Sequence, residues 1–300
     1  MTALSARPHR FRRPVLLIVG CGDVGMRVVR LLAGRWRVLA LTSSADRLPA
    51  IRTAGAVPLW GNLDAAETLS RLAGLADAVL HLAPPARDGN TDERTRHLLQ
   101  ALGRHGRLKR LVYGSTTGVY GDAGGARFDE TRPVRPASDR ARRRVDAEAR
   151  VRWFGKAFGV TATVLRIPGI YAGDRPGGHP RERLSRATPV LVAQDDVYTN
   201  HIHADDLARA CVAALHRGRP QRVVHASDHT MLKMGEYFDL AADLCGLPRP
   251  PRITRQEASR TMSDLQLSFW SESRRLDNRR LTQELRVRLR YPTVREGLSA

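Results

Sequence analysis

The first group of residues able to do chemistry is Gly20-Cys21-Gly22-Asp23-Val24-Gly25, a GxGxxG directly after the apolar run from Val15 to Val19. Each glycine of such a motif has a mechanical role, giving a tight turn, close approach of backbone to a diphosphate, and close packing of helix on strand. Free N–H groups at the start of the following helix then face the anion. The bland alternative is a glycine-rich turn with no ligand. Roughly 20 residues further on, a site for NAD places an Asp or Glu against the ribose 2′-hydroxyl. This chain has Leu41-Thr42-Ser43-Ser44 there, and the first acid, Asp46, comes late with Arg47 beside it. Without a carboxylate to repel it, a 2′-phosphate can be held by the hydroxyls of Thr42, Ser43 or Ser44 and by Arg47. The expected cofactor is therefore NADP, with NAD the alternative. Arg47 can also be read as plain surface charge.

Arg140, Arg144 and Glu148 recur every four residues and so share one helix face. If that face lines a cleft, two cations favour an anionic small-molecule substrate; otherwise it is a surface ladder. His201-x-His203, followed by Asp205 and Asp206, has ligand-like residue types, and on a strand both histidines share a face. Asp205 or Asp206 is equally suited to cap the next helix, and no metal is expected. Cys21 lies near a helix N-terminus, which tends to lower a thiol pKa; a small residue in a crowded turn explains it as well.

These residues need elements to hold them. Val15 to Val19 reads as a buried parallel strand, and Asp23 to Gly34 as a helix with Val24, Val28, Leu31 and Leu32 on its apolar side. Further strands are expected at Arg37 to Leu41, Val57 to Trp60, Ala78 to Leu82, Leu108 to Tyr113, Thr161 to Ile167 and Arg222 to Ala226, with a long arginine-rich helix over Arg140 to Phe158. This alternation predicts an α/β fold, a doubly wound parallel sheet of Rossmann type with a smaller C-terminal substrate lobe. The expected division is 14–171 and 196–228 for the dinucleotide-binding part, 172–195 and 229–300 for the lobe, and a basic arm over 1–13.

Composition narrows the function classes. Hydrophobic residues make up 42% and charged residues 27% of 300 residues, a globular mixture with ample material for a core. No apolar run reaches membrane-spanning length and no secretory leader is read at the N-terminus. Cys21, Cys211 and Cys245 are sparse and far apart, which suits a reducing cytoplasm better than a disulfide framework. The net charge of +20 raises nucleic acid as a partner. Yet Lys109, Lys156 and Lys233 are the only lysines among 50 basic residues, which points to a chain-wide arginine habit rather than a dedicated polyanion site.

Four stretches resemble the extended short-chain dehydrogenase/reductases, the NAD-dependent epimerase/dehydratase group. Tyr113-Gly114-Ser115-Thr116-Thr117-Gly118-Val119-Tyr120-Gly121 resembles the family's strand-end S-S-x-x-V-Y-G. His81-Leu82-Ala83-Pro84-Pro85 resembles the loop beside the nicotinamide. Leu165-Arg166-Ile167-Pro168-Gly169-Ile170-Tyr171 is similar to R-x-x-x-I/V-Y-G, and Asn200-His201-Ile202-His203-Ala204-Asp205-Asp206-Leu207-Ala208 to N-x-I-H-V-D-D-L-A, where His203 meets the family's strand histidine. The ending from Phe269 to Asn278, with Leu289-Arg290-Tyr291-Pro292, resembles the substrate-lobe tail. The resemblance implies cofactor contacts from Asn62, Leu63, Leu82, Ala83, Pro84, Ser115, Arg144, Pro168, Gly169 and Ile170. It also implies a Tyr-x-x-x-Lys pair on the long helix, and here the match breaks: Arg140 and Arg144 stand in register with that pair, and no tyrosine or lysine lies between Asp122 and Val151. Arginine stays protonated and cannot be a general acid tuned near neutrality. Of the catalytic group Thr116 survives, and Tyr120 or Tyr171 could replace the missing acid.

The chain thus reads as an atypical family member: an NAD(P)-binding oxidoreductase-like protein for a small carbonyl or sugar-like metabolite, as monomer or homodimer. The alternatives are an NADP-binding sensor or scaffold without turnover, supported by loss of the pair, and a polyanion binder, which would show a steep salt dependence.

Overall fold

The computed structural model describes residues 13–262, 267 and 270–299. Most of the expected basic arm, residues 1–12, and Phe269 of the tail motif lie outside them.

Seven parallel strands form the central sheet: β1 (Val15–Val19), β2 (Arg37–Thr42), β3 (Val57–Trp60), β4 (Ala78–His81), β5 (Arg110–Thr116), β7 (Thr161–Ile167) and β11 (Arg222–His225). The two-residue β6 (Arg127–Phe128), and β8 (Gly169–Tyr171), β9 (Val190–Leu191) and β10 (His201–His203), lie outside it. The sheet order β11-β7-β5-β4-β1-β2-β3 reverses direction between β1 and β4. In such sheets the crevice beyond the strand C-termini at this switch point is where ligands bind. Val19 pairs with His81 there, so the chain leaves both strands side by side.

Alternate residues of each strand feed opposite layers. Leu16, Ile18, Ala40, Leu80 and Val112 pack under α1 (Asp23–Leu31) and α6 (Ala204–Arg217). Val15, Leu17, Leu39, Val79 and Leu111 face α3 (Glu93–Leu102) and α4 (Asp139–Ala157). The short helices α2 (Leu48–Thr53) and α5 (Arg181–Ser185) lie in the connections that follow β2 and β8. Both layers being apolar explains why the sheet strands read as continuous hydrophobic runs. On α1 the face is rotated from the expected one: Leu31 is exposed, and Val29 takes its place in the core. A separate apolar cluster joins Tyr171, Leu184 and Val190 to Tyr237 and Phe238 of α7 (Met234–Cys245) and to Val294 and Leu298, giving the C-terminal part its own core.

Candidate functional site

The glycine loop is built by contact with the β4 strand end. Gly20 has φ +84°, and a Cβ there would lie 2.4 Å from the Ala83 nitrogen. The loop is pinned because Leu82 and Ala83 both donate their N–H to the Val19 carbonyl, at 2.8 and 3.0 Å. Gly25 faces Cys21 Sγ, the Gly20 carbonyl and Ile18, which a Cβ there would meet at 3.3–3.4 Å, so helix and strand pack closely at this point. Gly22 differs: it has an ordinary φ of −78°, and a Cβ would meet nothing within 4 Å. The protein itself therefore does not require glycine at 22, whereas a diphosphate approaching the backbone would.

A cavity of about 1010 Å3 opens from this loop. Gly20, Gly22, Asp23, Val24 and Gly25 form one end, Leu82 and Pro84 the wall beside them, and Ser115, Thr116, Arg144, Pro168 and Ile170 the far side. Thr116 Oγ1 accepts the Gly118 N–H at 3.2 Å, which leaves the hydroxyl hydrogen available to a ligand oxygen. Ser115 donates to Glu148 at 2.6 Å. Arg144 is fixed to the floor: its Nη1 donates to the Tyr113 hydroxyl at 2.9 Å and to the Gly114 carbonyl at 2.8 Å.

Other residues expected at the cofactor are not among those lining the cavity. Ala83 and Leu63 are buried, and Gly169 lies on β8, paired with His201. The Asn62 side chain accepts the Asp64 N–H at 3.0 Å and the Leu63 carbonyl meets His97 Nδ1 at 2.8 Å, so this turn positions Asp64. Cys21 is buried, and burial pushes its thiol up to about 11 against the pull of Arg47, so this is no activated thiolate. Arg47 donates to the Cys21 carbonyl at 2.8 Å, bringing its exposed guanidinium against the glycine loop. Thr42 accepts the Ser44 N–H at 3.1 Å, shaping the turn that ends β2 around Ser43.

Tyr120 is not brought to the cavity. Its side chain is fully buried, its hydroxyl lies 2.5 Å from His225 Nε2 and 2.6 Å from Arg166, and burial pushes the phenol up to about 12. His225 Nδ1 faces the Asp277 carbonyl and so carries the ring proton, which makes Nε2 the acceptor of the phenol. Tyr171 is also buried and donates to the Thr293 carbonyl at 3.3 Å. Tyr113 and Tyr171 are both shifted upward by burial.

The expected face of α4 divides. Arg140 and Arg144 line the cavity, while Glu148 continues into the core and makes a bidentate pair with Arg166 at 3.1 and 2.7 Å. Around His201 and His203 the chemistry is structural. His201 packs on the Tyr237 ring, centroids 4.2 Å apart, and burial drives its imidazole down to about 4. The helix cap falls to His203, whose Nδ1 accepts the Asp205 N–H at 3.2 Å, in place of the expected Asp205 or Asp206. Asp206 instead accepts the backbone N–H groups of Arg290 and Tyr291, both at 2.8 Å, and so ties the tail to α6.

Several lining residues had no signal in the sequence. Asp64 takes a two-pronged contact from Arg94 at 2.7 and 2.6 Å. Arg175, from the segment after β8, reaches Asp23 at 3.1 Å. Arg27 is buried beneath and joins Asp23, Asp174 and Asp205. Arg143 also lines the cavity; its spacing from Arg140, i and i+3, is the one clue that could have found it.

A parallel sheet with a glycine-turn crevice at its switch point defines a dinucleotide-binding Rossmann protein. Comparison makes the assignment specific: a sequence model of the NAD dependent epimerase/dehydratase family matches residues 16–226. The chain belongs to that family, the extended short-chain dehydrogenase/reductases. It is 25% identical over 286 residues to Protein YeeZ of Escherichia coli (strain K12), covering 92% of this chain and 95% of YeeZ. A functionally unknown conserved protein from Silicibacter pomeroyi DSS superposes with TM-score 0.80 at 31% identity, covering 96% of this chain and 97% of that one. The dTDP-glucose 4,6-dehydratase of Bacillus anthracis, solved in complex with NAD, shares the fold with TM-score 0.76 at 18% identity, covering 95% and 94% of the two chains. Among the described residues no helix is long and apolar enough to cross a membrane.

Proposed function

We propose that this protein binds NADP and acts on a small, negatively charged carbonyl or sugar-like metabolite held in the same cavity. The observation that carries this reading is Gly22, bare where the fold has room for a side chain, at the head of a cavity that runs on to Thr116 and Arg144. A nicotinamide coenzyme supplies hydride transfer when bound. Gly20, Gly22 and Gly25 would hold its diphosphate, and Thr42, Ser43, Ser44 and Arg47 its 2′-phosphate. Leu82, Pro84, Pro168 and Ile170 would exclude water around its ring. Thr116 would donate to the substrate oxygen, and Arg144 would supply a fixed positive charge beside it. Isothermal titration with NADP and NAD tests the assignment. Arg47→Ala should weaken NADP about 10-fold, the worth of one charge-assisted contact, and leave NAD nearly unchanged. Equal affinities for both coenzymes in the parent protein would remove the NADP preference.

A second reading, a dinucleotide-binding sensor without turnover, is favoured by the burial of Tyr113, Tyr120 and Tyr171. None of these phenols lines the cavity where the family's catalytic tyrosine would act. Reproducible oxidation of NADPH against a panel of carbonyl compounds would exclude it.

A further inference from the structure

We infer that Arg175, carried by the loop that follows β8, binds the coenzyme diphosphate, bringing to the glycine loop a positive charge that the loop itself lacks. This deepens the function proposed above and rests on its reading that the glycine loop holds a coenzyme. The one charged side chain within Gly20–Gly25 is Asp23, a carboxylate in the first turn of α1 and in the cavity wall. A diphosphate seated on Gly22 would meet this like charge at short range. Arg27 does not cancel it. Buried beneath, Arg27 is shared among Asp23, Asp174 and Asp205, and three carboxylates around one guanidinium leave an excess of negative charge.

The loop from Ala172 to Gly178 is shaped to deliver a second cation. It closes on itself: the Ala172 N–H donates to the Gly178 carbonyl at 3.3 Å, and the Gly178 N–H to the Arg175 carbonyl at 2.9 Å. Arg27 Nη2 donates to Asp174 at 2.5 Å and so fastens the loop to α1. Gly178 lies outside the left-handed region, so its backbone accepts any residue. A Cβ there would nevertheless stand 2.8, 2.9 and 2.8 Å from Cβ, Cγ and Cδ of Arg175, so the bare position makes room for the arginine stem. The guanidinium reaches the cavity wall, where its side chain is 29% exposed, and Nη1 donates to Asp23 at 3.1 Å. Among the described residues Asp23 is the one hydrogen-bond partner of this side chain. Nη1 can therefore keep Asp23 neutralised while Nε and Nη2 donate to phosphate oxygens, the fork geometry that suits a guanidinium to this anion.

The test is calorimetric titration of NADP and NAD into the full chain, as parent, Arg175→Ala, Arg175→Lys and the double variant Asp23→Asn with Arg175→Ala. Arg175→Ala should weaken both coenzymes by the same factor, about 10-fold, because the diphosphate is common to them. Arg47→Ala, by contrast, should touch NADP alone. Arg175→Lys keeps the charge and should stay within about 3-fold of the parent, and the double variant should recover to a similar level, because asparagine no longer repels the anion. Thermal melting of Arg175→Ala should stay within a few degrees of the parent, since a partly exposed ion pair contributes little to stability. Unchanged coenzyme affinity in Arg175→Ala, unequal losses for two coenzymes that the parent binds, or a loss restored neither by lysine nor by Asp23→Asn would each overturn the inference and leave the coenzyme reading standing. A parent protein that binds neither coenzyme would overturn both together.

Discussion

Replacing the first two glycines of the loop one at a time separates a demand of the fold from a demand of the ligand. At Gly20 a methyl group would sit 2.4 Å from the Ala83 nitrogen and 2.6 Å from its Cα, on a backbone with φ +84°. Strain in the left-handed region costs about 1–2 kcal/mol and forced overpacking about 1–3 kcal/mol more. Gly20→Ala should therefore lose about 2–5 kcal/mol of stability, read as a lower urea midpoint. At Gly22 the added methyl meets no protein atom within 4 Å, and φ is −78°. The entropy that alanine removes from the unfolded chain, about 0.4–1 kcal/mol, offsets its poorer helix capping relative to glycine. Thermal melting should stay within a few degrees of the parent, since about 1 kcal/mol moves a domain of this size by roughly 2–4 °C. The same methyl should cut NADP affinity by about 10- to 100-fold, because it stands where backbone and diphosphate must approach closely. Fluorescence titration of NADPH checks this. A Gly22→Ala protein that melts normally and binds coenzyme as tightly as the parent would refute the assignment of the loop.

Three other outcomes follow from buried charge. Glu148→Gln or Arg166→Met should each cost about 3–5 kcal/mol in chemical denaturation, because either leaves a partner at 5% exposure uncompensated, while the double replacement by apolar residues should cost less than the sum. Burial pushes the Asp228 carboxyl up to about 7, so between about pH 4 and 7 the folded chain holds a proton that the unfolded chain has released. Its contribution is present at low pH and is lost as pH rises through 7; Asp228→Asn should gain about 2–3 kcal/mol on the parent between about pH 5 and 7.5 in urea midpoints. His81, His201 and His225 are driven down to about 3, 4 and 4 by burial, so their effect has the opposite sign: stability is lost as pH falls below about 6.5, and replacing His201 by Phe should flatten that acid limb in the same measurement.

Much of this molecule was legible in one dimension. Apolar runs located the strands of the sheet to within three residues, because a strand buried on both faces must be hydrophobic throughout. Spacing within Gly20–Gly25 carried the geometry of the turn, since Gly20 and Gly25 answer contacts only a few residues or one strand away. The i, i+4 repeat put Arg140 and Arg144 on a common face, as helix geometry requires. Tertiary structure alone decided where side chains with equal chemical promise ended up. Tyr120 carries a motif position yet is drawn inward by His225, 105 residues away, and Arg166. Glu148 shares a helix face with two cavity arginines but turns to Arg166 on β7. Arg143, Asp64 and Arg175 come from three separate segments, α4 and the stretches after β3 and β8, and meet at one cavity only in the folded chain. Local periodicity encodes which way a residue faces; what it meets there depends on segments far along the chain, and that is settled by packing.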